Sequence, residues 1–240
     1  MMKRLALSLT ALVWAVPLPA AAQAGRASGS PAIPGRLAIT GRIAILEKDN
    51  KPSPDLGTAL VYLEGRGAGG GARAGRYEVT ISEKVFSPHV LVIPVGSTVS
   101  FPNHDPFDHN VFSVSEPNGF DLGLYGRGEG KLFTFKHPGL VRVFCNVHPR
   151  MAALVQVMAT NQYAQPGADG TFTIPGVEPG TYRLHVWHER APSEVIKEVT
   201  VGPQGLADVQ VTLNARGFRV QPHKNKYGRD YPTNTGRERY

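Results

Sequence analysis

The stretch LVRVFCNVHPRM, residues 140–151, combines a β-strand pattern with a cluster of soft side chains. Val141, Val143 and Cys145 occupy every second position, so their side chains lie on one face of a strand, opposite Arg142. That parity predicts that Cys145 points toward a core. His148 and Met151 follow in a loop, and thiolate, imidazole and thioether groups all bind soft metal ions. The pattern predicts a β-rich fold with a ligand-binding loop at the end of one strand.

The beginning of the chain has the features of an export signal. Lys3 and Arg4 precede the mostly apolar run LALSLTALVWAV, and Ala22 and Ala24 match a signal peptidase site. We expect residues 1–24 to be a signal peptide cleaved near Ala24, with the periplasm as the destination; the alternative is a retained N-terminal anchor. The apolar run is shorter than the ~20 residues that a transmembrane helix needs, and no other segment has that character.

Cys145 is the only cysteine in the chain. Cysteines of exported proteins are usually paired in disulfides, and a single cysteine has no intramolecular partner. Four roles remain open for it: an intermolecular disulfide, a buried inert thiol, a nucleophile with His148 as its base, or a metal thiolate.

The net charge is concentrated at the two ends. It is +7 for the whole chain, and removal of Lys3 and Arg4 with the leader leaves +5. Residues 215–240 carry seven Lys or Arg against Asp230 and Glu238, so the body between is close to neutral. We expect this basic tail to be disordered, the alternative being a segment that grips an acidic partner. No nucleic-acid partner is expected.

The pattern of the mature chain predicts an all-β fold class. Thirteen short β-type runs are separated by Gly, Pro, Asn and Asp, which is more than one sandwich needs. We predict an outer sandwich formed by residues 38–65 and 160–214, interrupted by an inner sandwich at residues 76–159. The Gly-rich segment 65–75 would be one crossing point. The alternative is an N-terminal hairpin that extends the inner sandwich.

The outer segments resemble a known domain type. ADG before TFTIPGV, and PGTYRL after it, give residues 161–189 a likeness to the second half of the carboxypeptidase-regulatory-like (transthyretin-like) β-sandwich. The segment GRIAILEKDNKPSPDLGTALVYLEG, residues 41–65, has the form of the first half.

A second histidine upstream completes the candidate metal site. The segment GSTVSFPNHDPFDHNVFSV turns after a strand and delivers His109 at the start of the next one, with His104 as a competing ligand. Cys145, two histidines and Met151 form a soft, mostly trigonal set that suits copper. Zinc prefers four strong ligands, and calcium or magnesium needs carboxylate oxygens that the 146–151 loop lacks.

These two segments together resemble the cupredoxins, the plastocyanin-, azurin- and amicyanin-like blue copper proteins, over about 85 residues. The C-x2-H-x2-M spacing is similar to that of the family's shortest ligand loops. The resemblance implies a Greek-key β-sandwich and one type 1 copper bound by His109, Cys145, His148 and Met151. It implies that Asn110 steadies the ligand loops by hydrogen bonding. The whole arrangement is similar to bacterial cupredoxins labelled methylamine utilisation proteins.

The resemblance implies a periplasmic electron carrier rather than an enzyme. Single electrons would pass through His148 to redox partner proteins of unknown identity, which would dock weakly around Pro149. We expect a monomer. Two alternatives stay open: a periplasmic carrier or buffer of copper, and an envelope-binding module in which copper is secondary.

Overall fold

A computed structural model describes residues 37–65 and 73–231. The expectations about the leader, most of the Gly-rich connector and the last nine residues lie outside these ranges. The described chain is all-β apart from a short 3-10 helix at Lys48–Asn50, which confirms the predicted fold class. The strands are β1 Leu37–Leu46, β2 Leu60–Glu64, β3 Arg76–Glu78, β4 Thr80–Ser82, β5 Val85–Ser87, β6 Val90–Pro94, β7 Thr98–Asn103, β8 His109–Ser113, β9 Phe120–Tyr125, β10 Gly128–Thr134, β11 Gly139–Phe144, β12 Ala152–Met158, β13 Tyr163–Ala164, β14 Thr171–Val177, β15 Gly180–Trp187, β16 Val195–Val201 and β17 Leu206–Asn214.

Alternating burial shows why these segments are strands. In β11, Val141 and Val143 are buried while Arg142 between them is exposed. Successive side chains of a strand point to opposite faces, so this alternation covers one face and leaves the other in water. Strand β12 is buried over most of its length because it lies inside its sheet, between β6 and β11.

Strands β3 to β12 form two facing sheets, here called the inner sandwich. One sheet has the order β10-β7-β4-β5, with β3 also paired to β7, and the other has the order β6-β12-β11-β8-β9. Their shared core contains large apolar side chains together with the candidate ligands Cys145 and Met151. The candidate metal site therefore begins inside a packed core.

The remaining strands form a second pair of sheets, here called the outer sandwich. One sheet has the order β14-β1-β17 and the other the order β13-β2-β15-β16. Strands β1 and β2 precede the inner sandwich in the chain, but they pair with strands that follow it. The core of this sandwich includes Ile39, Ile45 and Tyr182, all at most 2% exposed.

A small apolar cluster joins the two sandwiches. Leu60 of the outer sandwich is buried with Val92 and Met158 of the inner one, and Trp187 packs against them. An ion pair at the same junction connects His89 Nε2 with Glu189 Oε2 at 2.8 Å.

The described part of the basic tail, residues 215–231, contacts both sandwiches, and the expected disorder of residues 215–240 stays a prediction. Ala215 is buried, and the chain then runs to the inner sandwich. There the His223 ring stacks on Phe144 with a centroid distance of 4.4 Å, and the Tyr231 hydroxyl donates to the Cys145 carbonyl oxygen at 2.8 Å. These contacts are made by aromatic and polar side chains, whereas the expectation for the tail was based on its net charge.

Candidate metal centre

Antiparallel pairing brings the candidate ligands to one edge of the inner sandwich. His109 is the first residue of β8, and Cys145 follows the last residue of the neighbouring strand β11. Phe144 and Phe112 are paired across these two strands, so the end of β11 and the start of β8 lie together. His148 and Met151 lie in the turn that connects β11 to β12.

Three of the candidate ligands meet around one point. The Cys145 Sγ atom lies 3.7 Å from His109 Nδ1 and 3.7 Å from His148 Nδ1. The three ligand atoms all lie within 4.8 Å of one another. Within residues 37–65 and 73–231, His109, Cys145 and His148 are thus a group of side chains close enough together to bind one metal ion. His109 and Cys145 are fully buried, while His148 is half-buried and faces the edge.

The sulfur–nitrogen spacing fits a single bound ion. Metal–nitrogen and metal–sulfur bonds of about 2.1 and 2.3 Å place the two atoms roughly 3.6–3.8 Å apart for tetrahedral to trigonal angles. The observed 3.7 Å lies within that interval. The Val147 backbone N–H also points at Cys145 Sγ, at 3.4 Å, where it would stabilise a thiolate. A thiolate with two imidazoles is a donor set for copper or zinc.

The loop between Cys145 and Met151 is closed by its own backbone. The Cys145 N–H donates to the Met151 carbonyl at 3.2 Å, and the Met151 N–H donates to the His148 carbonyl at 3.1 Å. The Met151 side chain is 2% exposed and belongs to the same core cluster as Cys145. The fourth candidate ligand is therefore in the core of the inner sandwich rather than at the surface.

Asp105 is a functional residue that the sequence reasoning missed. Its Oδ2 lies 2.8 Å from His109 Nε2, on the side of the ring opposite the sulfur. A carboxylate is an acceptor, so the His109 Nε2–H donates to it and leaves the Nδ1 lone pair free for a metal. The sequence feature that could have indicated this contact is a carboxylate four residues before His109, in the turn HDPFD.

Backbone hydrogen bonds keep Asp105 ionised although it is buried. Burial raises the pKa of Asp105, but hydrogen bonds from the backbone of Lys84 and Glu83 and from His109 outweigh that effect and hold it below its usual value. The Glu83 and Lys84 N–H groups donate to the two carboxylate oxygens at 2.7 and 3.0 Å. The carboxylate is therefore fixed from three directions.

His104, the competing histidine, does not join the cluster. Its side chain is exposed, and its backbone N–H donates to the Ile81 carbonyl at 2.8 Å. Of the two histidines in this turn, the structure brings only His109 to Cys145.

The Asn110 side chain is hydrogen-bonded next to the cluster, and its role in steadying the ligand loops stays a prediction. Its side-chain N–H donates to Asp121 Oδ1 of β9 at 2.7 Å, and not to the 145–151 loop. Its own Oδ1 is buried with no hydrogen-bond partner among the described residues. The Asp121 carboxylate also binds Lys226, whose backbone N–H donates to Asn146. Asn110 therefore reaches the ligand loop through two intermediate residues.

The surface next to His148 is mixed apolar and basic. The half-buried Phe107 ring has centroid distances of 5.2 Å to His109 and 5.9 Å to His148. Val147 is 46% exposed beside it, and the Lys84 ammonium lies 5.5 Å from the Phe107 ring centroid. A partner that approaches His148 would first meet these groups.

Comparisons with known proteins find matches for parts of the chain. The family model described as polysaccharide lyase family 4, domain II, matches residues 155–208. This is a different β domain from the carboxypeptidase-regulatory-like type, which stays a prediction. The comparison with curated proteins found no match. Among the described residues, no helix has the length and apolar character to cross a membrane.

Several solved copper-protein structures are similar to part of the chain. A Cu-containing nitrite reductase from Thermus scotoductus SA-01 shares 33% identity over 34% of this chain, with a TM-score of 0.32, and the match spans 22% of the reductase. A reduced amicyanin variant shares 27% identity, over 34% of this chain and 80% of its own, with a TM-score of 0.32. A purple cupredoxin from Nitrosopumilus maritimus shares 24%, over 49% and 99%, with a TM-score of 0.29.

Proposed function

We propose that the protein is a periplasmic type 1 copper protein that passes single electrons between redox partner proteins. The observation that carries this proposal is the buried Cys145 sulfur with a histidine Nδ1 at 3.7 Å on each of two sides. The ligands would be His109, Cys145, His148 and Met151, with one copper per chain. Copper bound there would supply a one-electron couple, and a thioether as the fourth ligand favours copper over zinc.

For electron transfer, the chain would contribute a site whose ligand atoms are restrained and that is closed to water on one side. The backbone hydrogen bonds of the 145–151 loop and the two flanking strands restrict the movement of the ligand atoms. The buried side chains of His109 and Cys145 exclude water from one side. Asp105 orients the His109 ring and fixes its tautomer. A site that barely rearranges between two charge states favours electron transfer over metal exchange.

His148 is the proposed route for electrons. Its half-buried ring connects the buried sulfur with the surface formed by Phe107, Val147 and Pro149. We expect partners to bind this surface weakly and briefly, as in other redox encounters. The proposal includes no catalytic reaction.

The test is to add Cu(II) to the purified protein and record its visible spectrum. We expect an intense thiolate-to-copper band at one copper per chain, abolished by Cys145→Ser and by His109→Ala and altered by Met151→Leu. His104→Ala is the matched control, because it removes a histidine from the same turn outside the cluster, and it should leave the band intact.

Two results would contradict the proposal. A colourless complex with one copper per chain would favour the copper carrier. Loss of the band in His104→Ala but not in His109→Ala would show that the ligand assignment is wrong. Cell fractionation tests the location, which should be the periplasm.

A further inference from the structure

The end of the described chain lies against the metal loop, although the resemblance assigns it no role. Residues 223–231, here called the strap, contact three consecutive residues: Phe144, Cys145 and Asn146. The middle one is the proposed thiolate ligand. The strap follows strand β17 of the outer sandwich in the chain, so its contacts with residues 144–146 connect the two sandwiches.

Tyr231 binds the backbone of the ligand itself. Its hydroxyl donates to the Cys145 carbonyl oxygen at 2.8 Å. An ordinary tyrosine hydroxyl is protonated at neutral pH, so it is a hydrogen-bond donor there. The same Cys145 residue donates its N–H to Met151, so both backbone polar groups of the ligand are bonded.

Lys226 ties the other side of the loop to strand β8. Its backbone N–H donates to Asn146 Oδ1 at 2.9 Å, and its ammonium lies 2.6 Å from Asp121 Oδ2. Asp121 accepts in turn from Asn110, the residue after the ligand His109. A continuous chain of hydrogen bonds therefore runs from the neighbour of one ligand to the neighbour of another.

The strap has its own internal order. Asn225 donates its N–H to the Arg229 carbonyl at 2.9 Å, and its side-chain oxygen accepts from the N–H groups of Tyr227 and Arg229 at 3.0 Å each. The His223 ring lies flat on Phe144 and edge-on to Tyr231. The tight turn thereby presents Lys226 and Tyr231 to the loop together.

The strap lies at the surface and is partly packed against the inner sandwich. Tyr227 is 73% exposed and the preceding Val220 is 83% exposed, whereas His223 and Tyr231 are half-buried. The strap's hydrogen bonds are aimed at the residues that flank or include the thiolate ligand. A surface segment whose hydrogen bonds converge on one loop mainly affects the freedom of that loop.

We propose that Tyr231 and Lys226 are positioning residues of the metal centre, which hold the 145–151 loop in its binding geometry before a metal arrives. The strap makes the metal-free site resemble the loaded one and slows the opening through which a metal leaves. The inference rests on the proposed copper function only for the identity of the metal. Restraint of the loop in the metal-free protein is independent of it.

The experiment compares matched single variants of the full chain. Tyr231→Phe keeps the ring and removes only the hydroxyl, and Lys226→Met removes the ammonium and keeps the backbone N–H. Tyr182→Phe is the control for the first, since it removes a similar bond to the Glu178 carbonyl in the outer sandwich. Lys224→Met is the control for the second, since its ammonium lies 3.8 Å from the exposed Asp230 carboxylate.

Two quantities are measured for each variant. In the metal-free protein, amide hydrogen exchange of residues 145–151 should accelerate about fivefold in Tyr231→Phe, as loss of one hydrogen bond predicts. It should accelerate roughly twofold in Lys226→Met, whose ion pair is partly exposed. In the copper-loaded protein, removal of copper by a chelator should accelerate by similar factors. Lys226→Arg keeps the cation and should restore slow exchange.

The outcomes separate this inference from the proposed function. Loop exchange equal to that of the control variants would overturn the positioning role, whatever the copper spectrum shows. Faster exchange throughout the inner sandwich, rather than in the loop, would also overturn it, because it would indicate a general stabilising role. Faster loop exchange in a protein without the copper band would support the strap and refute the type 1 copper assignment alone.

Discussion

Replacement of Asp105 by asparagine tests whether the metal centre depends on a buried carboxylate. In the native protein Oδ2 is within hydrogen-bonding distance of the His109 Nε2–H and the Lys84 N–H, at 2.8 and 3.0 Å, and Oδ1 accepts from the Glu83 N–H at 2.7 Å. Asparagine has nearly the same shape but offers one acceptor oxygen and one NH₂ group. In either orientation at least one of these three N–H groups would face another donor.

The expected loss of stability follows from this mismatch of donors and acceptors. Hydrogen bonds to charged groups contribute about 1.5–3 kcal/mol, and an unsatisfied buried donor costs about 1–3 kcal/mol. We expect Asp105→Asn to lower the free energy of unfolding of the metal-free protein by about 2–3 kcal/mol. Because His109 loses its orienting partner, affinity for copper should fall about 10- to 100-fold.

Urea unfolding gives the first quantity, and competition with a chelator of known affinity gives the second. Asp108→Asn is the matched control, because this carboxylate lies in the same turn and is exposed. Asp108→Asn should change the free energy of unfolding and the copper affinity by less than about a quarter of the Asp105→Asn effect. Substitutions of exposed residues usually change stability by no more than ~0.5 kcal/mol. Equal effects of the two variants, or unchanged copper affinity in Asp105→Asn, would refute the reasoning.

Three further predictions concern the scaffold. The hydrogen bond to Glu189 raises the pKa of His89 above 6.5, so the pair's stabilising effect is complete below that pH and is lost as pH rises through the folded-state pKa. Unfolding free energies measured on both sides of neutrality should show this loss, and Glu189→Gln should remove it. Gly130→Ala should lower the free energy of unfolding by several kcal/mol and lower Tm, because Gly130 has a φ of +77° and a Cβ there would lie 1.9 Å from a β7 carbonyl oxygen. Gly217→Ala is the control, because the space around that position is open, and it should leave Tm unchanged. Met158→Ala at the junction should destabilise by about 2–5 kcal/mol in denaturant titrations; a loss below 1 kcal/mol would show that the cluster is not tightly packed.

Local sequence patterns were sufficient for several features of this protein. Alternation along LVRVFC predicted that Cys145 points inward, and it is fully buried among core residues. The sequence favoured His109 over His104 because His109 stands at a strand start, and the structure brings its ring to Cys145; its role as a metal ligand stays a prediction. These inferences succeeded because strand parity and the chemistry of ligand types are properties of neighbouring residues.

Tertiary structure decided the features that depend on distant contacts. The sequence pattern treated residues 215–231 as a charged tail, because nothing nearby in the chain provides the Cys145 carbonyl that Tyr231 binds. The Asp105 carboxylate looked like an ordinary turn residue until the backbone of Glu83 and Lys84 was brought to it from another strand connection. Hydrogen bonds between residues 20 or more positions apart have no local signature, because their partners meet only after the sheets have paired. The sequence by itself therefore determined which side chains could bind a metal, and the fold decided which carboxylate and which tyrosine contact them.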